Sequence, residues 1–264
     1  MSRIAVGIEY DGSAYAGWQS QPGVTTIQQL VEKALGVVAA APVSLVCAGR
    51  TDAGVHAWGQ VAHFDTGATR SMRSWVLGAN SELPKDLNVS WALPVPAHFH
   101  ARYSACARIY RYLILNREVR SALLARRATW IHQPLDAAAM AQAALMLQGE
   151  HDFSAFRSSA CQAKSPIRRL ERLTVERRAD CVIIEATANA FLHHMVRNIA
   201  GLLIAVGKGE EPPQWAQAVL TSGDRRLGAA TAPAAGLYLL AVRYPAAFGL
   251  PAAGAPEGCT PDRL

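Results

Sequence analysis

Cysteine is scarce in this sequence, and no two cysteines have the CxxC spacing. Five occur among the 264 residues, at Cys47, Cys106, Cys161, Cys181 and Cys259. An odd number at scattered positions argues against a disulfide framework and against a zinc site built from cysteine pairs. We therefore expect a protein of the reducing cytoplasm.

Long hydrophobic runs are also missing. The longest, around residues 199–206, is far shorter than the roughly 20 apolar residues that a membrane-spanning helix needs. The first residues, Met1–Gly7, lack the apolar region of a secretory signal peptide. We expect a soluble protein that is not exported and has no membrane partner.

The usual signatures of cofactor and metal sites are absent, since there is no GxGxxG, Walker or HExxH motif. Two histidine pairs are present, His98 with His100 and His193 with His194. Neither pair has a cluster of cysteines or carboxylates beside it in the sequence. We therefore expect neither a cofactor nor a bound metal.

Acidic residues are fewer than basic ones. The chain has 20 Asp and Glu against 26 Lys and Arg, a formal net charge of +6, which suits a polyanionic partner such as nucleic acid. Ten arginines are candidates for an RNA-binding track, although each is also typical of a solvated surface. They are Arg102, Arg108, Arg111, Arg126, Arg127, Arg168, Arg169, Arg172, Arg177 and Arg178.

The first half of the chain opens with a β-branched strand at residues 3–10 and a glycine-containing loop. Thr25 with Gln28 fits a capping box, and apolar residues then recur with helical spacing, so a helix is predicted to begin there. Short apolar segments at 43–48 and 59–65 predict a hairpin with a long connecting loop.

A similar order of elements recurs after a proline-containing connection at residues 94–101. The predicted elements are a strand at 108–115, a helix from an Asp136 cap to about Gly149, a hairpin at 170–188, helices at 193–206 and 213–220, and a strand at 236–244.

This repetition predicts an α+β fold of two similar α/β halves with mainly antiparallel sheets. We place the halves at residues 1–98 and 99–245. The remaining residues, 246–264, are rich in Pro, Gly and Ala and are predicted to be a flexible tail.

A glycine-flanked loop between the two predicted hairpin strands carries the first candidate for chemistry. It reads Gly49-Arg-Thr-Asp-Ala-Gly-Val-His56, which places the Asp52 carboxylate two residues after Arg50. Loops on rigid scaffolds often carry catalytic groups, although Asp-x-Gly is also typical of a simple tight turn. Both interpretations stay open on this motif alone.

Two later segments carry further candidates. Alternation places Tyr110 and Tyr112 on one face of a strand, where an aromatic ring can stack on a base. Arg197 belongs to a predicted helix that is otherwise mostly apolar, so we expect it to be partly buried. A buried arginine needs an acceptor, and we expect a carboxylate opposite it.

Together these motifs resemble the TruA-type tRNA pseudouridine synthases, the tRNA pseudouridine(38-40) synthase family. The resemblance covers roughly residues 4–245. The matching segments are Tyr10-Asp-Gly12, Gly17-Trp-Gln19, Gly49–His56, Phe99-His-Ala-Arg102, Tyr110-Arg-Tyr112, Phe191-Leu-His-His-Met-Val-Arg-Asn198 and Gly236-Leu-Tyr238. The resemblance implies the pseudouridine synthase fold, in which two halves form a central RNA-binding cleft, and a homodimer.

The resemblance also implies roles for Asp52, Arg197 and Tyr110, and the position of Arg50 beside Asp52 makes it our candidate for base flipping. Asp52 is the catalytic nucleophile, and Arg197 forms an ion pair with it. Tyr110 stacks on the target uracil, and Arg50 occupies the space that the flipped base leaves. Whether Asp52 attacks C1′, adds to the uracil ring or removes a sugar proton stays open, with chemistry at the sugar as our working hypothesis.

The implied reaction isomerises uridine to pseudouridine at positions 38, 39 and 40 in the anticodon arm of tRNA. Two other functions fit part of the sequence. A non-catalytic RNA-binding protein or RNA chaperone would bind without turnover, but Asp52, Tyr110 and Arg197 are all present. A glycosidic-bond hydrolase normally uses two carboxylates, and only Asp52 lies in a convincing motif.

Overall fold

The computed structural model describes residues 1–251, and these residues form two compact units. Unit 1 consists of Met1–Cys106 together with the segment that begins at Tyr238, and unit 2 consists of Ala107–Leu237. Both units combine helices with mainly antiparallel strands, so the predicted α+β class is confirmed. Within residues 1–251, no helix has the length and apolar character needed to cross a membrane.

Ten strands and five helices form the regular structure of the described residues. In chain order they are β1 (Ser2–Tyr10), α1 (Ile27–Ala39), β2 (Val46–Cys47), β3 (His56–Thr66), α2 (Met72–Glu82), β4 (Leu87–Val95), β5 (Ala107–Asn116), β6 (Thr129–Ile131), α3 (Ala137–Leu145), β7 (Gly149–Asp152), β8 (Ile167–Arg178), β9 (Cys181–Ala188), α4 (Met195–Gly207), α5 (Trp215–Ser222) and β10 (Leu237–Arg243).

Unit 1 is built around a sheet with the strand order β4-β1-β3-β10, and β2 pairs with β3. β1 is antiparallel to both β3 and β4, whereas the short pairing of β10 with β3 is parallel. Helices α1 and α2 pack together, and α2 also packs on β4. The buried Trp75 ring of α2 meets the Phe64 ring of β3 edge to face, 5.2 Å between centroids, and so joins helix to sheet.

Within unit 2 the strands follow the order β5-β9-β8-β7, and β6 pairs with β5. Each strand in this order is antiparallel to its neighbour. Helix α3 packs against both β8 and α4. Every residue of α4 except Arg197 is buried. A helix that is apolar nearly all round belongs in a core, which explains why α4 lies inside this unit.

The division into units differs from the predicted boundary. Unit 1 extends to Cys106 rather than to residue 98, and the last strand of the chain belongs to unit 1 rather than to unit 2. The physical reason is the pairing of Tyr238 and Leu239 of β10 with His56 and Ala57 of β3. Such a pairing joins residues far apart in the chain, and strand propensity does not indicate it.

The predicted start of helix α1 is wrong by one residue. The N-cap is Thr26 rather than Thr25, and the Gln29 side chain accepts from the Thr26 amide at 3.3 Å. The Thr25 carbonyl is used elsewhere, since it accepts from the Ala16 amide at 3.0 Å. Gln28 donates to Glu32 one turn further along the helix, 2.8 Å. Both Thr-x-x-Gln pairs fit the motif, and the contact with Ala16 selects the later one.

Helix α3 begins as predicted but ends early. The Asp136 side chain accepts from the amides of Ala138 and Ala139 at 2.8 and 3.0 Å and caps the helix. The helix ends at Leu145 rather than near Gly149, because Gly149–Asp152 form β7 and pair with β8. Strand pairing has overridden the helical tendency of the alanine-rich sequence.

The predicted flexible tail is only partly described. In its first residues, Ala246–Phe248 form a 3-10 turn, and the Phe248 ring packs on Phe99 with 5.1 Å between centroids. The flexibility of the tail stays a prediction. Residues 252–264 lie outside the described part of the chain.

His63 is a buried histidine in the centre of unit 1. Its side chain on β3 is 4% exposed, and Nδ1 accepts a hydrogen bond from the Ala101 amide at 3.1 Å. Burial lowers the pKa of His63 to about 4, and the positive charge of Arg3 acts in the same direction. A proton on Nδ1 would also remove the acceptor that the Ala101 amide uses.

We expect His63 to make the stability of the protein depend on pH. The unfolded chain takes up the proton near pH 6.5 and the folded protein only near pH 4, so the unfolded state binds more protons between these values. The contribution is complete above pH 6.5 and is lost as the pH falls towards 4, by at most about 3 kcal/mol. Urea unfolding of the wild type and of His63→Gln at pH 7, 6 and 5 measures the difference. Equal pH dependence of the two proteins would contradict the prediction.

Candidate active site

The Asp52 loop connects β2 to β3 in unit 1. Asp52 is half-buried, and its carbonyl accepts from the Val55 amide at 3.1 Å, which closes a tight turn. Gly54 has a φ of +76°, a conformation that side chains rarely adopt, so the glycine of the motif is required by the turn. The tight-turn interpretation therefore describes the backbone correctly, and the turn leaves the Asp52 carboxylate partly accessible.

Hydrogen bonds from buried residues support the Asp52 loop. The Tyr10 hydroxyl lies 2.8 Å from Oγ1 of Thr51, the residue before Asp52. Gln60 on β3 donates to the Gly49 carbonyl at 2.6 Å, and the Trp18 amide donates to the Thr51 carbonyl at 3.0 Å. Tyr10, Trp18 and Gln60 are buried, so the loop rests on groups that water does not reach.

Two glycines of the N-terminal segment allow the backbone to approach the Asp52 loop. A Cβ atom added at Gly12 would overlap the Val55 carbonyl. One added at Gly17, where φ is +90°, would lie 2.8 Å from the Thr51 carbonyl oxygen and 3.0 Å from the Ala53 nitrogen. The segments Tyr10-Asp-Gly12 and Gly17-Trp-Gln19 therefore form the support of the loop. The sequence marked them as motifs but indicated no role, since their contacts are distant in the chain.

Three stacked aromatic rings lie at the start of β3, directly after the Asp52 loop. Tyr238 of β10 stacks between His56 and Trp58, with centroid distances of 4.6 and 4.8 Å. Nδ1 of His56 also accepts from the Gly12 amide at 3.1 Å. The last strand thus supports the candidate site through Tyr238, a second contribution that the sequence did not indicate.

Arg50 lies on the same loop and is exposed. Its position two residues before Asp52 is the basis for its predicted role. Base flipping by Arg50 stays a prediction.

The two tyrosines of β5 differ in role. Tyr110 is 8% exposed, and its ring meets Phe191 edge to face with 5.1 Å between centroids. The Tyr112 hydroxyl lies 2.6 Å from Thr129 Oγ1 and 2.8 Å from the Pro233 carbonyl, and burial raises the pKa of Tyr112 above its usual range. Tyr112 is thus a core residue of unit 2, and Tyr110 remains the candidate for stacking.

Several arginines of the proposed RNA track have partners inside unit 2. Arg108 is 8% exposed and donates to the Asn189 carbonyl at 2.7 Å, and Arg111 pairs with Glu185 at 3.1 Å. Arg177 donates to Asn116 and to the Leu135 carbonyl, both at 2.7 Å. These arginines stabilise the unit, so a phosphate role for them has less support than a structural one.

Arg197 is half-buried, as predicted, and is fixed by the segment before β10. Its Nε donates to the Ala232 carbonyl at 2.9 Å, and its own carbonyl accepts from the Ala232 amide at 3.1 Å. This reciprocal pair of bonds orients the guanidinium at the first turn of α4. Asp52 belongs to unit 1 and Arg197 to unit 2, and the ion pair between them stays a prediction.

The chain has an α+β fold. Unit 1 carries the supported Asp52 loop, and unit 2 carries the strand with Tyr110 and the helix with Arg197. The chain matches the tRNA pseudouridine synthase family over residues 7–104 and 143–245. The first segment contains Asp52 and the second contains Arg197, whereas Tyr110 lies between them. The chain therefore belongs to the tRNA pseudouridine synthase family.

Particular relatives match nearly the whole chain. The tRNA pseudouridine synthase A of Alcanivorax borkumensis is 54% identical over 265 residues, which cover 100% of this chain and 99% of the relative. The protein of the same name from Methylococcus capsulatus is 59% identical over 248 residues, 94% of this chain and 92% of the relative. That from Nitrosococcus oceani is 56% identical over 249 residues, 94% and 96% of the two chains. The predicted enzyme class, an isomerase that makes pseudouridine in tRNA, is confirmed.

Proposed function

We propose that this chain converts uridine to pseudouridine at positions 38, 39 and 40 in the anticodon arm of tRNA, without a cofactor or metal. The proposal rests above all on one observation: Asp52 lies half-buried on a loop that buried groups hold rigidly. The family and the full-length relatives named tRNA pseudouridine synthase A support the same activity. The net charge of +6 suits the polyanionic substrate.

The reaction rearranges one nucleotide and consumes nothing else. The bond between C1′ of the sugar and N1 of uracil breaks, the base turns, and C5 of uracil forms the new bond to C1′. C5 then loses its proton and N1 gains one, so the product is an isomer of the substrate. In our proposal Asp52 is the nucleophile and acts at the sugar, and the Arg197 guanidinium pairs with it and orients the carboxylate. The rigid support of the Asp52 loop keeps the carboxylate in place while the base moves.

The detached uracil must stay in the site, and Tyr110 is our candidate for holding it. The ring of Tyr110 packs edge-on against Phe191, so its orientation is fixed before RNA binds. Stacking on an aromatic ring contributes roughly 1–3 kcal/mol per base. Exposed Arg50 would enter the space that the flipped nucleotide leaves in the RNA.

We expect Tyr110→Ala to reduce pseudouridine formation by roughly 10- to 100-fold, because the stacking face is lost. Tyr110→Phe keeps the face and should stay within a few-fold of the wild type. Single-turnover rates on an unmodified anticodon stem-loop measure both. If the two variants are equally slow, the hydroxyl takes part in the chemistry and stacking is not the main role.

We also infer that the protein is a cytoplasmic homodimer. The location follows from the substrate, since tRNA is used in the cytoplasm, and from the scattered cysteines of the sequence, which suggest no disulfide framework. The dimer follows from the family resemblance. Light scattering at micromolar concentration tests it, and a mass corresponding to the monomer alone would refute it.

The proposed function is tested by incubating purified protein with unmodified tRNA transcript, without added cofactor or metal. Carbodiimide labelling and primer extension then map pseudouridine. Product at positions 38–40 is expected. Binding without product would instead support a non-catalytic RNA-binding protein or chaperone, and release of free uracil would support a glycosidic-bond hydrolase.

A further inference from the structure

Unit 2 contains a cavity lined by residues for which the sections above propose no role in the chemistry. It has a volume of about 600 Å³ and lies beside the first turn of α4. Three arginines line it, Arg157, Arg225 and Arg226. The other lining residues are polar or small: Ser158, Ser159, His194, Asn198, Gly228, Ala229, Ala230 and Thr231. None of the three arginines belongs to the RNA track that the sequence indicated.

The loop that closes one side of this cavity is held against α4 at a glycine. A Cβ atom added at Gly201 of α4 would overlap the Ala230 carbonyl, so the loop can lie on the helix only because this position has no side chain. The amide of Ala232 donates to the Arg197 carbonyl and fixes the end of the same loop. The cavity wall is therefore formed by backbone that packing holds in place.

Arg225 is half-buried, yet its partners in the cavity wall carry no charge. Its Nη2 donates to Oδ1 of Asn198 at 3.1 Å and to Oγ1 of Thr231 at 3.2 Å. Asn198 is itself fixed, since its Nδ2 donates to the Phe156 carbonyl at 2.7 Å. Both bonds use Nη2, which leaves the N–H groups of Nε and Nη1 for another acceptor. Within residues 1–251, Arg225 forms no ion pair.

Arg157 faces the same cavity in a similar state. It is half-buried, and its Nη2 donates to the Cys161 carbonyl at 2.6 Å, a neutral acceptor. Burial opposes ionisation of the Cys161 thiol, but backbone hydrogen bonds and a hydrogen bond from Arg157 lower its pKa. Among the described residues it too has no carboxylate partner. Arg168 lies close enough that the charge of Arg157 contributes to lowering its pKa, after burial as the larger cause. Positive charge is thus concentrated on this side of unit 2.

The third arginine is different and provides a contrast. Arg226 is exposed, and it pairs with Asp224 at 2.6 Å, so its charge is largely compensated. Arg157 and Arg225, by contrast, have no carboxylate partner among residues 1–251. A half-buried guanidinium with neutral partners is costly to keep, and an anion in the cavity would compensate it. The serines and the first turn of α4 add neutral donors and a favourable helix dipole.

We propose that the Arg157–Arg225 cavity binds a phosphate group of the RNA backbone. The inference rests on the proposed function, which supplies a polyanionic substrate. Arg225 would hold the phosphate oxygens through Nε and Nη1, Arg157 would add a second positive charge, and the hydroxyls of Ser158 and Ser159 would donate further hydrogen bonds. The contact positions the RNA on unit 2 without reading its sequence.

The test measures the affinity for unmodified tRNA at several KCl concentrations. Arg225→Gln and Arg157→Gln should each raise the Kd about 10-fold. The slope of log K against log salt should fall by about 0.7–0.9 for each lost contact. Arg73→Gln, which removes an exposed arginine on α2, is the matched control and should change the Kd less than about 2-fold.

A second measurement separates a phosphate contact from loss of structure, since Arg225 also bonds Asn198 and Thr231. The test uses a series of anticodon-arm RNAs, each with a single phosphate replaced by an uncharged methylphosphonate. At one position the replacement should weaken binding to the wild type, while Arg225→Gln should bind the modified and the unmodified RNA with equal affinity. Absence of any such position would overturn the proposal. So would unchanged affinity and salt slope in both variants.

The source of the anion and the proposed function are tested separately. One outcome would overturn the assignment to RNA. In it, inorganic phosphate raises the Tm of the wild type but not of Arg225→Gln, and both proteins bind tRNA with the same affinity. If the wild type makes pseudouridine and both arginine variants bind tRNA normally, only the phosphate site fails. If the wild type makes no pseudouridine but the variants lose tRNA affinity, only the proposed function fails.

Discussion

Asp52→Ala is expected to abolish pseudouridine formation while tRNA binding stays nearly unchanged. Turnover should fall on the order of 10⁴-fold or more, because the carboxylate takes part in the chemistry itself. Affinity should change little, since it comes mainly from phosphate contacts spread over the protein surface. Single-turnover rates and equilibrium binding to the same transcript measure the two effects independently.

Asp52→Asn is the closer control, because it keeps the size of the side chain and replaces the charged carboxylate, which only accepts hydrogen bonds, by a neutral amide with one acceptor oxygen and one NH2 donor. It should be as inactive as Asp52→Ala if the carboxylate is the nucleophile. Asp65→Asn tests for a general effect of losing an acid, since Asp65 is an exposed aspartate that pairs with Arg3 at 2.7 Å on the same unit. Substantial turnover by Asp52→Asn would contradict the assignment.

Gly12→Ala is expected to lower kcat about 100-fold without contacting substrate. The added Cβ atom would overlap the carbonyl of Val55, which is backbone and cannot rotate away, so the turn from Asp52 to Val55 must shift. A displacement of about 1 Å in a catalytic group is enough for an effect of this size. The overpacking should also cost about 1–3 kcal/mol of stability. Rates and urea unfolding of the purified variant measure both.

Gly67→Ala is the matched control for this glycine. Gly67 is exposed, lies in the same unit, and has open space within 4 Å of an added Cβ atom. Gly67→Ala should leave the free energy of unfolding within a few tenths of a kcal/mol of the wild type, and kcat within about 2-fold. If Gly12→Ala is as active as Gly67→Ala, the contact with Val55 does not position the loop. The support described for Asp52 is then not needed for catalysis.

The predicted elements that proved correct have strong local signals. Asp136 caps α3 through its own side chain, and β8 and β9 form the hairpin that was predicted at residues 170–188. Helix α1 was placed one residue early because two overlapping capping boxes compete, and a contact with Ala16 decides between them. Local patterns thus predicted the kind of element better than its ends.

Roles of individual side chains depended on contacts outside the local pattern. Tyr110 and Tyr112 are equivalent by alternation, yet Thr129 and the Pro233 carbonyl bind the hydroxyl of Tyr112 in the core. Arg108 and Arg111 look like phosphate ligands in the sequence but have partners within unit 2. Arg157 and Arg225 lie in segments with no recognisable motif, and only their common cavity marks them.

By itself the sequence determined the family, the α+β class and the position of Asp52 on a glycine-flanked loop. These features depend on residue identity and on periodicity over a few residues, which are present in the chain before it folds. Only the tertiary structure decided that the last strand returns to unit 1, that Tyr10, Gly12, Gly17 and Gln60 support the Asp52 loop, and that two arginines share one cavity. The reason is that burial and hydrogen-bond partners are set by packing between residues distant in the chain.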